Sequence, residues 1–277
     1  MSMKTRLANL RQVPPTALFG IVIVILYIVL AILTPALTPY SQREIVGGAF
    51  LPWTSAHPLG TDSLGRDMLT RLLYGGRNTL GIAFVTTILA FAIGMAAGLV
   101  AVTVGGWLEP ILSRIVDMLM SIPQLIFKLF LLSIFGTSIP TLILVIAVLD
   151  STRVFRLTRA AASSIAVMDY VEAARLRGEG PWWLMTREIL PNITAPLIAE
   201  FGLRFCFVFL AIAALSFLGL GIQPPLADWG SMVRENATLI TFGDITPLIP
   251  AAAIAVLTIS VNFIVDWMLH KSTGLKE

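Results

Sequence analysis

The segment Tyr170-Val-Glu-Ala-Ala-Arg-Leu-Arg-Gly178, followed at a distance by Ile189-Leu-Pro-Asn192, is a charged stretch between two long apolar runs. Most residues from 168 to 177 are good helix formers. Gly178 and Gly180 come next, and glycine is the residue that most readily takes the left-handed conformation at the end of a helix. The sequence therefore predicts a short helix at residues 168–177 that ends at a glycine corner.

A second short helix is predicted after that corner, over residues 182–189. Pro191 has no backbone N–H and its ring crowds the preceding turn, so we expect the helix to end or kink there. The two helices form a rigid protrusion whose Ala173–Ala174 face carries only small side chains. Such a face is suited to fit into a groove on another protein.

The composition of the 277 residues excludes an ordinary soluble globule. Hydrophobic residues make up 57% of the chain and charged residues 13%, which leaves too few charges for the surface of a soluble protein of this length. The single cysteine, Cys206, lies in an apolar run, and we interpret it as a packing residue. The net charge of +3 fits basic cytoplasmic loops and does not require nucleic acid as a partner.

The apolar runs predict an all-α polytopic membrane protein with six transmembrane helices. A helix needs about 20 apolar residues to cross a hydrocarbon core about 30 Å thick. Six runs approach that length, at residues 17–33, 80–104, 117–135, 141–154, 195–218 and 248–269. They are continuous rather than alternating, which excludes barrel strands.

We expect four parts in the chain. Residues 1–16 form a cytoplasmic N-terminus, and residues 17–79 hold the first helix, an external loop and an interfacial helix. Residues 80–269 form the main transmembrane domain, with the polar loop at about 160–194, and residues 270–277 are a cytoplasmic tail.

The distribution of lysine and arginine predicts the orientation in the membrane. With the N-terminus inside, the twelve on the cytoplasmic side are Lys4, Arg6, Arg11, Arg114, Arg153, Arg156, Arg159, Arg175, Arg177, Arg187, Lys271 and Lys276, and the five outside are Arg43, Arg66, Arg71, Arg77 and Arg234. Cytoplasmic loops carry the excess of these residues. Both termini and the loop with Glu172 are therefore expected on the side where ATP is available.

The connection at residues 34–79 is predicted to lie outside. Its first half carries prolines and Gly47-Gly48, which favour an irregular loop. In its second half Asp62 and Arg66 are four residues apart, and leucines recur at helical spacing over residues 69–73. We therefore expect a short helix at the outer interface.

A metal site at His57 is an alternative that this loop raises. Asp62 and Asp67 lie nearby in the sequence. One histidine with two separated carboxylates is a poor set of ligands, so we favour a structural role and expect no metal.

Residues 216–231, Ser-Phe-Leu-Gly-Leu-Gly-Ile-Gln-Pro-Pro-Leu-Ala-Asp-Trp-Gly-Ser, follow the fifth run. Two glycines and two prolines prevent a helix from continuing here, so the chain is expected to turn along the outer face. Trp229 is expected at the headgroup level, where an amphipathic ring is favoured.

Three strings together carry a resemblance to a known family. They are residues 170–192, the string His57-Pro-Leu-Gly-Thr-Asp-Ser-Leu-Gly-Arg-Asp67 with its continuation to Leu80, and residues 216–231. In the first string Glu-Ala-Ala precedes Gly178, and Pro191 lies thirteen residues after that glycine, which resembles the EAA loop of bacterial ABC-transporter permeases. The whole chain resembles the second permease subunit of dipeptide, oligopeptide and nickel importers.

The resemblance implies the type I (MetI-like) ABC importer fold and a place in the bacterial cytoplasmic (inner) membrane. It implies transport of peptides or related small solutes, such as nickel chelates, opines or conjugates. The implied partners are a second homologous permease, two cytoplasmic ATPase subunits and an extracytoplasmic substrate-binding protein. ATP and Mg would be bound by the ATPases, so no cofactor is expected in this chain.

The resemblance also implies roles for particular residues. Those implied at the ATPase contact are Glu172, Ala173, Ala174 and Gly178, and those that fix the loop to the fifth span are Leu190 and Pro191.

Two charged residues fall inside predicted spans, where a charge costs about 2.5 to 3.5 kcal/mol at mid-depth. Lys128 and Asp150 each lie eleven residues from Ile139, which is at the centre of the intervening turn. At a rise of about 1.5 Å per residue they reach nearly the same depth. We therefore expect an ion pair between them, with a role of Lys128 in the transport path as the alternative. Glu200 and Arg204 are expected to pair at i,i+4 spacing.

An enzyme is disfavoured by the motifs that the sequence lacks. It contains no Gly-x-x-x-x-Gly-Lys-Ser/Thr phosphate loop, no His-Glu-x-x-His and no Gly-x-Ser-x-Gly. An intramembrane enzyme remains one alternative, although His57 and His270 both fall at or outside the interfaces. A secondary transporter is the other, but its inverted repeats and broken helices are not evident in the sequence.

Overall fold

The computed structural model describes residues 14–273, and its regular structure is helical. The helices are α1 (Pro15–Leu37), α2 (Met68–Val104), α3 (Leu108–Met120), α4 (Gln124–Phe135), α5 (Ile139–Ala166), α6 (Asp169–Leu176), α7 (Pro181–Phe217), α8 (Trp229–Asn236) and α9 (Leu248–Thr273). A 3₁₀ turn, Ala237–Phe242, follows α8. Within residues 14–273 the β pairing is limited to two isolated bridges. The predicted all-α class is confirmed; most of the predicted N-terminal segment and the end of the predicted tail lie outside the described residues.

Helices α1, α2, α7 and α9 are each long and apolar enough to cross a bilayer. Helices α3 and α4 meet the same test together but are bent by 88°. Helix α5 has 28 residues, and Asp150, Arg153 and Arg156 interrupt its apolar sequence. The described part of the chain thus holds four clear spans, or five with the bent pair. Six spans require α5 as well, which the structure is compatible with.

The predicted third span, residues 117–135, is not one helix. Helix α3 ends at Met120 and α4 begins at Gln124, with Pro123 at the N-cap of α4. A proline has no N–H to bond the preceding turn, and it disfavours the helical conformation in the residue before it. The prediction of a continuous span is therefore wrong, and this break is one that was not evident in the sequence.

The second span begins much earlier than the predicted residue 80. Asp67 Oδ2 accepts the Thr70 N–H at 2.8 Å and caps α2, which then runs for 37 residues from Met68. The prediction of a separate interfacial helix is wrong. Asp62 and Arg66 instead lie in the preceding loop, where they form an ion pair with Oδ2 and Nε 2.7 Å apart.

That loop is tied to α8 by ion pairs between buried arginines and a partly buried glutamate. Glu235 Oε2 lies 3.4 Å from Arg66 Nη2 and 3.3 Å from Arg71 Nη2. Arg71 Nε in turn lies 3.2 Å from Asp62 Oδ2. Two carboxylates and two guanidinium groups therefore hold the loop, α2 and α8 together.

His57 belongs to the same loop and contacts the residue that caps α2. Its Nδ1 lies 3.0 Å from Asp67 Oδ1. Over residues 14–273 there is no group of three or more side chains that could hold a metal ion.

Helices α2 and α5 are closely packed and run parallel. A Cβ on Gly94 would overlap the carbonyl oxygen of Ser151, and one on Gly98 would lie 2.8 Å from the Cβ of Thr158. Small residues allow membrane helices to approach in this way. Since α2 and α5 are parallel, the start of α2 and the end of α5 lie at opposite ends of the bundle. Helix α8 contacts the start of α2, and α6 follows the end of α5. We therefore call the two ends the α8 end and the α6 end.

Trp229 lies in the buried core and not on the surface of the bundle. Its Nε1 donates to the Leu72 carbonyl at 2.8 Å, and its ring meets Phe209 edge to face at 6.1 Å between centroids. Gly76 makes room, because a Cβ there would lie 2.7 Å from the indole ring. The prediction of an interfacial anchor is therefore wrong. The same buried cluster contains Cys206, which confirms that residue as a packing residue.

Candidate functional site

The predicted glycine corner is present, and two backbone hydrogen bonds fix it. Gly178 N–H donates to the Arg175 carbonyl at 2.9 Å, and Glu179 N–H donates to the Ala174 carbonyl at 3.2 Å. This is a Schellman arrangement. It places Gly178 in the left-handed region, with φ at +88°. A Cβ on Gly178 would meet no atom of this chain within 4 Å, so the corner requires the backbone freedom of glycine rather than space within the chain.

Helix α6 has a buried face that packs on the start of α7. Val171 and Ala174 form a small buried cluster with Leu184, which Ile165 also contacts. The prediction that Ala173 and Ala174 together form an exposed small face is wrong for Ala174, because its methyl group is turned inward. Residues three apart in a helix lie on the same face, so Ala174 shares the buried face of the apolar Val171.

The outer face of α6 carries both predicted and unpredicted residues. Glu172, Ala173 and Gly178 are exposed. Beside them Leu176 is 84% exposed and Trp182 is 75% exposed. Leu176 does not share the helix face of Val171 and Ala174, and this spacing in the sequence indicates that its side chain is exposed. The side chains of Leu176 and Trp182 are candidates for contact with another protein.

The protrusion continues into a membrane-crossing helix without a break. Helix α7 begins with an α turn, passes through a π-helix at Leu184–Ile189 and a 3₁₀ turn at Leu190–Ile193, and then becomes α-helical again. Pro191 therefore does not end the helix. The helix continues because the wide π turns before Pro191 change to a narrow 3₁₀ turn at Pro191, which accommodates a residue without an N–H. Such π turns within α-helices are frequent at functional sites.

The distorted part of α7 is anchored to α2 and α5. Met185 and Ile189 belong to a buried cluster with Leu99 of α2 and Val154 of α5, and Leu190 packs against that cluster. Pro191 itself is exposed. Packed side chains and the continuous helix α7 therefore connect α6 to the bundle.

A second group of candidate residues lies inside the bundle. Lys128 Nζ is 2.7 Å from Asp150 Oδ2, so the contact predicted from equal depth is present. Arg204 Nη1 lies 3.3 Å from the other oxygen of Asp150, and Arg204 also binds Glu200, as predicted from their spacing. Lys128, Asp150 and Arg204 are each at most 3% exposed. The sequence did not predict that Arg204 joins the pair.

These charges line a pocket of about 260 Å³ between α4, α5 and α7. Its lining residues are Gln124, Leu125, Lys128, Asp150, Arg153, Arg204, Phe207, Leu210, Ala211 and Ala214. The two predicted roles of Lys128 are thus both compatible with its position, since it is paired with Asp150 and also lines a cavity.

Asp228 organises the α8 end of the molecule. Its carboxylate accepts the Ser231 N–H at 2.8 Å and caps α8, and it accepts the Thr79 hydroxyl of α2 at 2.8 Å. Burial raises the pKa of Asp228, against the opposing effect of these hydrogen bonds. No sequence pattern indicates the contact with Thr79, because the two residues are 149 positions apart.

Comparisons with known proteins place the chain among transport components. Residues 67–271 match the family described as binding-protein-dependent transport system inner membrane component. The chain is 33% identical over 251 residues to the dipeptide transport system permease protein DppC of Alkalihalophilus pseudofirmus, covering 90% of this chain and 83% of that one. It is 32% identical over 213 residues to the glutathione transport system permease protein GsiD of Pectobacterium atrosepticum, covering 77% of this chain and 71% of that one.

Two solved structures share the fold. One is an inward-facing MetNI methionine ABC transporter, with a TM-score of 0.60 and 22% identity, covering 74% of this chain and 97% of that chain. The other is an amino acid ABC transporter, with a TM-score of 0.54 and 20% identity, covering 72% of this chain and 92% of that chain. At these identities the likeness concerns the fold alone.

Proposed function

The chain belongs to the family of binding-protein-dependent transport system inner membrane components, and we propose that it carries small peptides or closely related solutes. It is a multi-pass inner-membrane permease of an ABC importer, and a transport subunit rather than an enzyme. The relatives DppC and GsiD are named for dipeptide and for glutathione. Both names denote small peptides, and this supports the proposed class of solute.

The observation that supports coupling to an ATPase is the geometry of α6. Its outer face is exposed, its corner is fixed by two hydrogen bonds, and its inner face packs on the start of α7. In our proposal Glu172, Ala173 and Gly178 contact the ATPase. Ala174 and Leu190 act from inside by holding the protrusion to the bundle, and Pro191 permits the change of helical turn.

ABC importers of this family work with ATPases and with a substrate-binding protein. For this chain we propose two ATPase subunits at the α6 end, a second homologous permease beside it, and the binding protein at the α8 end. ATP and Mg would be bound by the ATPases. The pair Lys128–Asp150 lies between the two ends and is proposed to line the path of the solute.

The assembled importer tests this function. When the chain is reconstituted in liposomes with the second permease, the ATPases and the binding protein, we expect ATP hydrolysis and accumulation of a labelled dipeptide. The chain alone is expected to do neither, because its sequence holds no phosphate-binding loop. A protonophore should leave uptake unchanged. Uptake by the chain alone, driven by a proton gradient without ATP, would show that it is a secondary transporter.

The orientation is a separate proposal, which places the α6 end and both termini in the cytoplasm. Ala56 and Arg177 are both exposed, and they lie on opposite sides in this orientation. In a Cys206→Ala background, we expect an impermeant maleimide to label a cysteine at position 56 in intact cells and to leave one at position 177 unlabelled. Permeabilised cells should label both positions, which serves as the control. The reverse pattern would place α6 outside and exclude an ATPase contact there.

A further inference from the structure

The basic residues that line the pocket between α4, α5 and α7 outnumber by one the carboxylates that bind them. Three cations line it, namely Lys128, Arg153 and Arg204. Asp150 binds Lys128 and Arg204, and Glu200 binds Arg204 from behind. Across residues 14–273, Arg153 forms no ion pair with a carboxylate. Arg153 is therefore the source of the excess charge.

Arg153 lies near the middle of α5. It lies fourteen residues after Ile139 and thirteen before Ala166, the two ends of α5. At about 1.5 Å per residue it is roughly 20 Å from either end of the helix. Its side chain is exposed and lines the pocket. A guanidinium group that lines a pocket and has no acidic partner in the described residues can bind a carboxylate of another molecule.

The surroundings of Arg153 hold its guanidinium group at the mouth of the pocket. The Phe207 ring lies 6.0 Å from Arg153 Cζ and 5.5 Å from Arg204 Cζ. Contacts of a cation with a ring face are favourable at such distances. Arg204 is fully occupied by Asp150 and Glu200 behind the ring, whereas Arg153 has no acidic partner in the described part of the chain.

We propose that Arg153 binds the carboxylate group of the transported solute at the mouth of this pocket, and that Lys128, Asp150 and Arg204 form the fixed wall of this subsite. Arginine suits the task because its planar group presents two N–H donors to the two oxygens of a carboxylate. This inference rests on the proposed function and adds the part of the solute that the path recognises. A solute with a free carboxylate is expected to cross better than the same solute with that group neutralised.

Arg156 provides a matched control in the same molecule. It lies one turn further along α5, is also exposed, and points its Nη1 at Met120 Sδ at 3.8 Å. It does not line the pocket. A reagent that modifies arginine can therefore reach both Arg153 and Arg156 on one helix, and of these two only Arg153 is part of the proposed subsite.

The test measures phenylglyoxal modification of both arginines in the assembled importer in lipid nanodiscs, by mass spectrometry of the two peptides. The probes are alanyl-alanine and alanyl-alanine amide at equal concentration and ionic strength. At about ten times its dissociation constant, a bound probe slows modification about tenfold by mass action. We expect this slowing for Arg153 with alanyl-alanine only, and no change at Arg156.

Several results would overturn the proposal. They are equal protection of Arg153 by the amide, equal protection of Arg156, protection by added phosphatidylglycerol instead of peptide, or an Arg153 that does not react even without a probe. The last result would mean that an acidic residue of the second permease already pairs with it.

Uptake by variants gives an independent measurement. Arg153→Gln is expected to lower alanyl-alanine uptake about tenfold while hydrolysis stimulated by the binding protein continues, and Arg153→Lys should recover part of the uptake. Arg156→Gln should resemble the wild type. If uptake and hydrolysis fall together in Arg153→Gln, the residue serves assembly and the proposal is wrong. Absence of ATP-dependent uptake by the wild type would instead contradict the proposed function, and the modification experiment would still decide whether Arg153 binds a carboxylate.

Discussion

Replacing Asp150 with leucine is expected to lower the stability of the helix bundle by about 3 to 5 kcal/mol, the usual result of removing one partner of a buried pair. Asp150 accepts from Lys128 at 2.7 Å and from Arg204 at 3.3 Å. Without it Lys128 is left with no carboxylate, while Arg204 retains Glu200. Lys128→Met should cost less, because Asp150 then still has Arg204. Thermal unfolding of the detergent-solubilised variants measures both effects.

The double variant Lys128→Met/Asp150→Leu decides whether the contact is energetically real. It removes both charges and keeps similar volumes, so it is expected to recover most of the stability lost in Asp150→Leu. Asp117 on α3 is an exposed carboxylate, and Asp117→Leu should change stability by no more than about 0.5 kcal/mol. Additive losses from the two single changes would mean that the charges do not interact.

The same variants separate a structural role of Lys128 from a role in the path. If Lys128→Met unfolds at the wild-type temperature but loses uptake, the lysine acts on the solute rather than on the bundle. If stability and uptake fall together and the double variant restores both, the pair is structural and Arg153 remains the residue that faces the solute.

The helix and glycine corner at residues 169–178 and the ion pair of Lys128 with Asp150 could be predicted because they depend on residues close in the sequence. The helix at Asp169–Leu176 and its glycine corner depend on helix propensity and on the left-handed conformation of Gly178, which neighbouring residues determine. The contact of Lys128 with Asp150 followed from equal distances to a turn. That count succeeded although α4 is only part of the predicted span, because both residues lie on the uninterrupted stretch next to the turn.

The errors arose where packing partners or the geometry of adjoining turns, rather than the residue type, decide the outcome. Trp229 has an amphipathic ring that suits a membrane interface, but Gly76 of α2 opens a buried site for it. Ala174 is as small as Ala173, and only the packing of Leu184 shows which of them faces inward. Pro191 stops most helices, whereas here a π-helix before it and a 3₁₀ turn after it allow α7 to continue.

The continuity of α7 joins the two candidate sites mechanically. The helix begins beside the corner at Gly178, passes the cluster that contains Met185 and Ile189, and reaches Arg204 and Phe207 at the pocket. We therefore expect displacement of α6 by a partner to act on the same helix that lines the pocket. The distorted turns at Leu184–Ile193 are where this helix is most able to change shape.

Gly178→Leu is expected to lower uptake about tenfold while the protein still inserts and folds. A residue other than glycine pays about 1 to 2 kcal/mol in the left-handed conformation, which shifts the population of the native corner by about 5- to 30-fold. The buried contacts of Val171 and Ala174 with Leu184 lie on the other face and are unaffected. The outer face with Glu172 and Ala173 would then be misaligned with the ATPase. The measurements are the uptake of the solute, the rate of ATP hydrolysis, and the co-purification of the ATPase with the variant.

A substitution at Gly180 serves as the control that distinguishes the left-handed conformation of Gly178 from the added size of a side chain. Like Gly178, Gly180 is exposed, and a Cβ added to it would meet no atom within 4 Å, but its φ is −75°, which any residue adopts. Gly180→Leu should therefore keep most of the uptake, and Glu172→Ala should also be mild because it removes one polar contact and leaves the helix. Gly178→Asn should fall between, since asparagine tolerates the left-handed region. Wild-type uptake and normal ATPase association in Gly178→Leu would show that the corner does not transmit the work of the ATPase, and the exposed residues Leu176 and Trp182 would then be the next to test.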